Sequence, residues 1–284
     1  MKVENWMDQE DPFLKKREIE IHHNYHENLA DKEVSLSKLF ESDQRKIRID
    51  SLNYFINKTG VKFHGKILEV GAGDGWCSAY IGRNFSYDEL YTMEINKAAI
   101  ERLIPKVFKV AEIDTSKSTL VLGSFNNIKL KNYFDVVVVM GALHHSSNLY
   151  STFKSIYESL KPGGWLVAQE PSMHNDTLNN FYFEREKQEV NFKKLETVKN
   201  SDRSDVFYRE CEYRTAGFHV GFDFYSADLS NQNTKKSFFD FMKKKEMKVV
   251  DKSRPANILI YAQKPLNANS FPVTNWEENF KNQK

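Results

Sequence analysis

From Lys66 onward the chain alternates short apolar runs with helical stretches, and that alternation leaves it few architectures. Ile67–Val70 is an apolar run ending in Gly71-Ala72-Gly73-Asp74-Gly75, after which Trp76–Phe85 reads as a helix. Leu90–Glu94 is a second strand candidate, Ala98–Val107 a second helix and Thr119–Leu122 a weaker third strand. Phe134–Met140 (FDVVVVM) is apolar throughout but for its Asp, the pattern of a strand buried on both faces. A helix over Leu149–Leu160 stops at Lys161-Pro162-Gly163-Gly164, and Trp165–Gln169 forms the next strand. Strands joined through helices are parallel neighbours, so this region predicts βαβ units on one sheet.

The flanks read differently. Residues 1–64 form a polar, helical N-terminal extension or cap without a strong strand signal: one helical stretch follows Pro12 over Leu14–Leu29, and another spans Ser37–Asn57 until Thr59-Gly60 breaks it. The sheet domain is expected over 65–265, with polar insertions at about 172–205 and 228–253 and a tail at 266–284. Within it, Phe207–Gly217 returns to helix, while His219–Tyr225 and Ile258–Ala262 read as the closing strands.

Composition removes several classes. A chain of 284 residues can bury a full core without staples. Lys and Arg total 41 against 39 Asp and Glu, and a net charge of +2 supplies no global field for nucleic acid. The two cysteines, Cys77 and Cys211, are too few for a disulfide framework or a cysteine-rich zinc site. No apolar run approaches a membrane span, and the start MKVENWMDQEDPF carries acids where a signal peptide needs a basic and then an apolar stretch. A cytoplasmic protein is expected.

The glycine turn Glu69-x-Gly71-x-Gly73-x-Gly75 sits where a strand hands over to a helix, and glycines there let the backbone turn tightly and approach a ligand. Glu94 ends the next strand, nineteen residues beyond Gly75, where a carboxylate can accept ribose hydroxyls. The dinucleotide pattern G-x-G-x-x-G would need glycine at Trp76, and Glu69 and Asp74 would repel a pyrophosphate. A nucleoside carrying a cation meets no such objection.

Four blocks, LEVGAGDG (68–75), the acid of YTMEIN (91–96), FDVVVVMGALHH (134–145) and LKPGGWLVAQEP (160–171), together resemble the class I S-adenosylmethionine-dependent methyltransferases. The resemblance covers about 66–170, and 207–264 more loosely. It implies a Rossmann-like α/β fold, a mostly parallel seven-stranded sheet flanked by helices with a reversed last strand, and S-adenosylmethionine across the carboxyl ends of the strands, leaving S-adenosylhomocysteine as product. By position, Glu69, Gly71, Gly73 and Gly75 would line the methionine part, Glu94 would hold the ribose and Ile95 would pack on the adenine, with Ala72 and Gly141 also at the cofactor. The aspartate that such enzymes often carry after the third strand is missing from Leu122–Asn127; Ser124 or Asn126 can bond the adenine edge there and Phe125 can stack. Members of the family also fold an N-terminal helix over the cofactor, a place Tyr25 could fill.

Methyl transfer needs an aligned nucleophile and, for a hydroxyl, a base. His144 and His145 follow the Phe134–Met140 strand at the mouth of the expected site, and His145, farther from the strand, is the first candidate base. Glu170 ends the next strand and can orient a substrate hydroxyl or partner a histidine. His174, Tyr182, Arg185 and Arg209 fall in or near the insertion that would face substrate, whereas His22, His23 and His26 lack a metal-ligand pattern and Lys243–Lys245 reads as a solvated face; no metal is expected. The order strand–Glu170-Pro171, insertion, then a helix ending Ala216-Gly217-Phe218 resembles methyltransferases of bacterial surface polysaccharides, which implies O-methylation of a small-molecule or glycan-like acceptor. The rivals are a nucleic-acid or protein methyltransferase and a non-catalytic scaffold that keeps the fold. Met140–His144 shows no Asn/Asp-Pro-Pro-Tyr/Phe pattern, and no basic face interleaved with aromatics is evident, so no nucleic-acid partner is expected.

Overall fold

The computed structural model describes residues 1–7, 33–61, 63–172, 190–191, 196–197, 208–228 and 256–267. Its centre is β5 (Phe134–Met140), whose residues from Val136 to Met140 are all buried. Beside it lie β2 (Lys66–Val70), β3 (Glu89–Glu94), β4 (Ser118–Leu122) and β6 (Leu160–Ser172). With β1 (Lys2–Asn5), β9 (Asp223–Asp228) and β10 (Ala256–Gln263) they form an eight-stranded sheet in the order β1-β4-β3-β2-β5-β6-β10-β9. β10 runs antiparallel to both neighbours, and the other pairings are parallel. A two-residue pair, β7 (Val190–Asn191) with β8 (Glu196–Thr197), stands apart from the sheet.

Two apolar layers cover the sheet. On one face α1 (Leu36–Phe40), α2 (Asp43–Thr59), α3 (Trp76–Asn84) and α4 (Ile104–Val110) bury Phe55, Trp76, Ile81 and Ile104; on the other α5 (Leu149–Ser159) and α6 (Glu210–Val220) bury Phe153, Ile156 and Tyr213. The helix ends follow local chemistry. Ser42 caps α2 by accepting from the Arg45 N–H, and Gly60 closes it in the left-handed region at φ 70°. Asn148 caps α5 through the Ser151 N–H, and Glu212 reaches back to the Arg209 N–H at the start of α6.

The sheet has eight strands where seven are expected, and the addition is β1, in a region that reads as helix and loop. Lys2–Asn5 carries little apolar signal because an edge strand with exposed side chains needs none; backbone pairing with β4 and the buried Trp6 and Met7 behind it hold it in place. Other boundaries also move. The stretch 37–57 is two helices, broken at Glu41-Ser42. Ala99–Leu103 is a π-helical turn leading into α4, which runs to Val110. Lys161–Gly164 lies inside β6, at a register shift where the Gly163 N–H bonds the Lys264 carbonyl and Lys264 N–H returns to Gly164. His219 and Val220 belong to α6, so the strand expected from His219 begins at Asp223, after Gly221 ends the helix at φ 108°.

The order places β2 and β5 side by side with their connections leaving in opposite directions, which opens a crevice at their carboxyl ends. Among the described residues no helix is long and apolar enough to cross a membrane.

Candidate active site

The crevice is walled by two loops. Gly71–Gly75 leaves β2 and enters α3, with Gly71, Gly73 and Gly75 all at positive φ. A Cβ on Gly71 would come within 2.5 Å of the Ala142 Cβ, so this glycine lets the first loop touch the second, Gly141–Ser146 after β5. Gly141 is also left-handed, at φ 80°, and its N–H bonds the Gln169 carbonyl at 2.8 Å. Ala72 and Ala142 are both buried at the junction.

Each loop is held by a buried carboxylate from a neighbouring strand end. Glu94, 6% exposed, accepts the Gly73 N–H on Oε2 at 2.8 Å and the Ile95 and Asn96 N–H groups on Oε1 at 2.9 and 3.1 Å. Ile95 beside it is half-buried. Glu170, with no exposed surface, accepts the Ala142 and Leu143 N–H groups on Oε1, both at 2.9 Å. Its Oε2 takes the His144 N–H at 3.3 Å and pairs with His144 Nδ1 at 2.8 Å. A carboxylate offers about four lone-pair sites, so Glu170 is full and cannot also hold a substrate hydroxyl. It positions His144 instead. With Nδ1–H donated to Glu170, the basic nitrogen of that imidazole is Nε2. The His145 ring lies 4.0 Å from the His144 ring, and its N–H bonds the Ala142 carbonyl.

Glu69 stands beneath the glycine loop rather than in the crevice. It is 1% exposed and accepts the Ser78 N–H at 2.8 Å and the Ser78 hydroxyl at 2.5 Å; Thr92 in turn donates to Ser78. Burial pushes its carboxyl up to about 7, against the pull of the Ser78 bonds. Glu69 therefore ties β2 to the start of α3.

After β4, Ser124 is buried and its hydroxyl accepts the Asn126 N–H, while Phe125 is half-buried against the α5 side of the core. The Asn126 side-chain oxygen accepts from Thr152, whose hydroxyl also bonds Ser146. The Ser146 carbonyl takes the Tyr208 hydroxyl at 2.6 Å, so the β4 loop, the histidine loop and the approach to α6 are joined. Arg209 lies at the start of α6, while Tyr25, His22, His23, His26, His174, Tyr182, Arg185 and Lys243–Lys245 fall outside the described residues.

Two arginines of α2 reach this crevice. Arg45 donates to Asp74 at 2.7 Å and lies 4.7 Å over the Trp76 ring; Asp74 also accepts the Trp76 N–H. Arg48 stands beside Gly141, its Nη2 at 2.5 Å from where a Cβ would be. Sequence reading passed over both, although a signal was available. Arg45 occupies the first turn of a helix, where the macrodipole disfavours a cation, so what it faces must justify it, and Arg48 follows on the same face three residues later.

The crevice suits a nucleoside with an amino-acid tail: its two loops close to a distance that a side chain at Gly71 would fill, and an acid stands at the end of β3. A family model described as a methyltransferase domain matches residues 21–200. The chain is 23% identical over 115 residues to a malonyl-[acyl-carrier protein] O-methyltransferase of Priestia megaterium, which covers 39% of this chain and 40% of that protein. It is 30% identical over 135 residues to a sterol 24-C-methyltransferase of Gibberella zeae, covering 45% of this chain and 34% of that one. The matched stretch thus spans well under two thirds of either relative. Among solved structures it is similar to phosphoethanolamine N-methyltransferase 2 of Haemonchus contortus in complex with S-adenosyl-L-methionine, at TM-score 0.56 and 14% identity over 82% of this chain and 60% of that chain. It is also similar to the [4+2]-cyclase SpnF, at TM-score 0.55 and 13% identity over 79% of this chain and 82% of that chain. Likeness at such identities establishes the fold alone.

Proposed function

Because the chain belongs to the methyltransferase-domain family, whose class I members use S-adenosylmethionine, we infer that it methylates an oxygen of a small-molecule acceptor, with His144 as the base. The observation that carries the reading is the pairing of His144 with a Glu170 carboxylate whose every lone pair is committed to that loop. His144 is preferred here to His145, the first candidate by sequence, because Glu170 holds His144. The glycan-like part of the expected acceptor has no support in the relatives named above, none of which carries a saccharide in its name.

S-Adenosylmethionine supplies a methyl group already activated by a sulfonium. Glu94 would meet the ribose with the lone-pair capacity that its three N–H partners leave, and Gly71 and Gly73 leave room for the methionine part. His144 Nε2 takes the acceptor hydroxyl proton, and the Glu170 carboxylate steadies the imidazolium that results. Such a base contributes roughly 10²–10⁴-fold.

The test is calorimetry with S-adenosylhomocysteine, followed by turnover of S-adenosylmethionine with candidate acceptors, for wild type and His144→Asn. Saturable binding, with turnover that the substitution lowers by about two decades or more, is expected. Failure of the wild-type protein to bind would sink the methyltransferase reading; equal turnover by the mutant would remove His144 as the base.

A further inference from the structure

The two arginines of α2 divide between the two loops of the crevice. They are three residues apart and so share a helix face. The charge of Arg45 is answered by Asp74 and the face of Trp76, both at the glycine loop. That of Arg48 is not: among the described residues, no hydrogen bond or ion pair reaches its guanidinium. It is nevertheless half-buried, and its Nη2 fills the space where Gly141 lacks a side chain. Burial, aided by Arg45, pulls its pKa below the ordinary arginine value, and Glu170 is the first of the acidic groups that oppose this. A planar cation with five donors, partly out of water and without an acceptor among the described residues, is costly as it stands. The same fork is matched to the two oxygens of a carboxylate or the edge of a phosphate.

Position decides which molecule supplies that anion. The carboxylate of the cofactor's methionine part belongs near the start of α3, where the first N–H groups of the helix point outward and Arg45 already stands. Arg48 instead abuts Gly141, three residues before His144 on the loop that carries the base. On the reading that this crevice transfers a methyl group to a small molecule, we propose that Arg48 anchors an oxyanion of the acceptor, so that the substrate is an anionic molecule bearing a carboxylate or phosphate besides the atom methylated. Only Gly141 permits this placement, since a Cβ there would displace the guanidinium.

The experiment titrates the full chain in two stages. Wild type is first titrated with S-adenosylhomocysteine; an absence of binding would defeat the methyltransferase reading before any anion is added. The loaded protein is then titrated with malonate and, separately, with inorganic phosphate. At least one should bind saturably, with affinity at least tenfold lower in Arg48→Gln and largely restored in Arg48→Lys. Arg48→Gln should bind S-adenosylhomocysteine within threefold of wild type and unfold at no lower temperature, because an unpaired charge has been removed. Four results would overturn the proposal. They are no anion binding to the loaded wild type, unchanged anion binding in Arg48→Gln, a loss of S-adenosylhomocysteine affinity beyond threefold, which would give the guanidinium to the cofactor's carboxylate, or a lowered unfolding temperature, which would make Arg48 structural.

Discussion

Glu94 and Glu170 are the same residue type at the same kind of place, the carboxyl end of a sheet strand, and both gather backbone N–H groups from a loop. They differ in what is left over. Three donors reach Glu94, two of them on one oxygen, so capacity for a ligand remains on the other. Four reach Glu170, and none remains. An acid at a strand end is thus a ligand-binding group or a loop support according to how many N–H groups the next turn aims at it. On the proposed reading the support on the glycine side would still face the ligand, and the one on the histidine side would act one residue removed, through His144.

The contact that joins the two sides gives the largest expected effect. Gly71 is at φ 67°, and a side chain there would collide with Ala142. Gly71→Val should abolish S-adenosylhomocysteine binding in calorimetry and disturb the histidine loop as well, while the far-ultraviolet spectrum keeps its sheet and helix content. If the mutant titrates like wild type, the two loops are not one site.

Next in size is the histidine side alone. Glu170→Gln keeps the shape but replaces one acceptor oxygen by an amide that meets N–H groups or the imidazole head on. Turnover should fall by about two decades, with affinity for S-adenosylhomocysteine within threefold of wild type. Its pH profile should shift as well, because the imidazolium loses its counter-charge, a change that loosened packing alone would not produce. Equal losses in turnover and affinity would show that Glu170 supports both loops rather than His144 in particular. Smaller again is the glycine side: Glu94→Gln should weaken S-adenosylhomocysteine about tenfold, on the order of 1.4 kcal/mol, by removing charge from both the ribose contact and the Gly73 N–H bond. A weakening below twofold would leave Glu94 as a loop support only, like Glu170.

What the sequence made legible follows from how locally each feature is encoded. The glycine turn, the doubly buried β5 and the histidine pair are contiguous, and their chemistry can be read from neighbours in the chain. The closing strand β10 is equally plain as Ile258–Ala262 because it is apolar on both faces. β1 escaped because an exposed edge strand is specified by its partner's unpaired backbone, not by its own pattern. Partnering a histidine was already one of the roles open to Glu170, but which backbone groups each glutamate gathers was beyond reach for a related reason. Glu69 and Glu94 look alike beside a glycine motif, yet one turns under α3 to Ser78 and the other turns over to Gly73, a distinction made by pleat and twist. Arg48 is the extreme case, since its significance depends on Gly141, far along the chain and meaningful only as an absent side chain.

The smallest effect concerns Glu69 and separates it from the other two acids. Its carboxyl lies at about 7 in the folded protein, raised from an ordinary 4.5 chiefly by burial. A raised carboxyl pKa means that the folded state favours the protonated form, so the associated stability is present below the unfolded pKa and lost as pH climbs from there through the folded value. Wild type should therefore lose stability through this group between pH 4.5 and 7, the window set by those two values. Between pH 6 and about 7.5 the loss should be about 1 kcal/mol. Glu69→Gln has no proton to give up and can still accept both Ser78 bonds on its amide oxygen. Its urea midpoint should then exceed the wild-type value at both pH values, by more at the alkaline one, and the two should converge only toward pH 4.5 and below. Parallel wild-type and mutant curves would mean that Glu69 stays ionised under the loop, with Ser78 and Thr92 carrying its charge. Three ionised carboxylates would then support the crevice, and the contrast between Glu69 and the strand-end acids would rest on position alone.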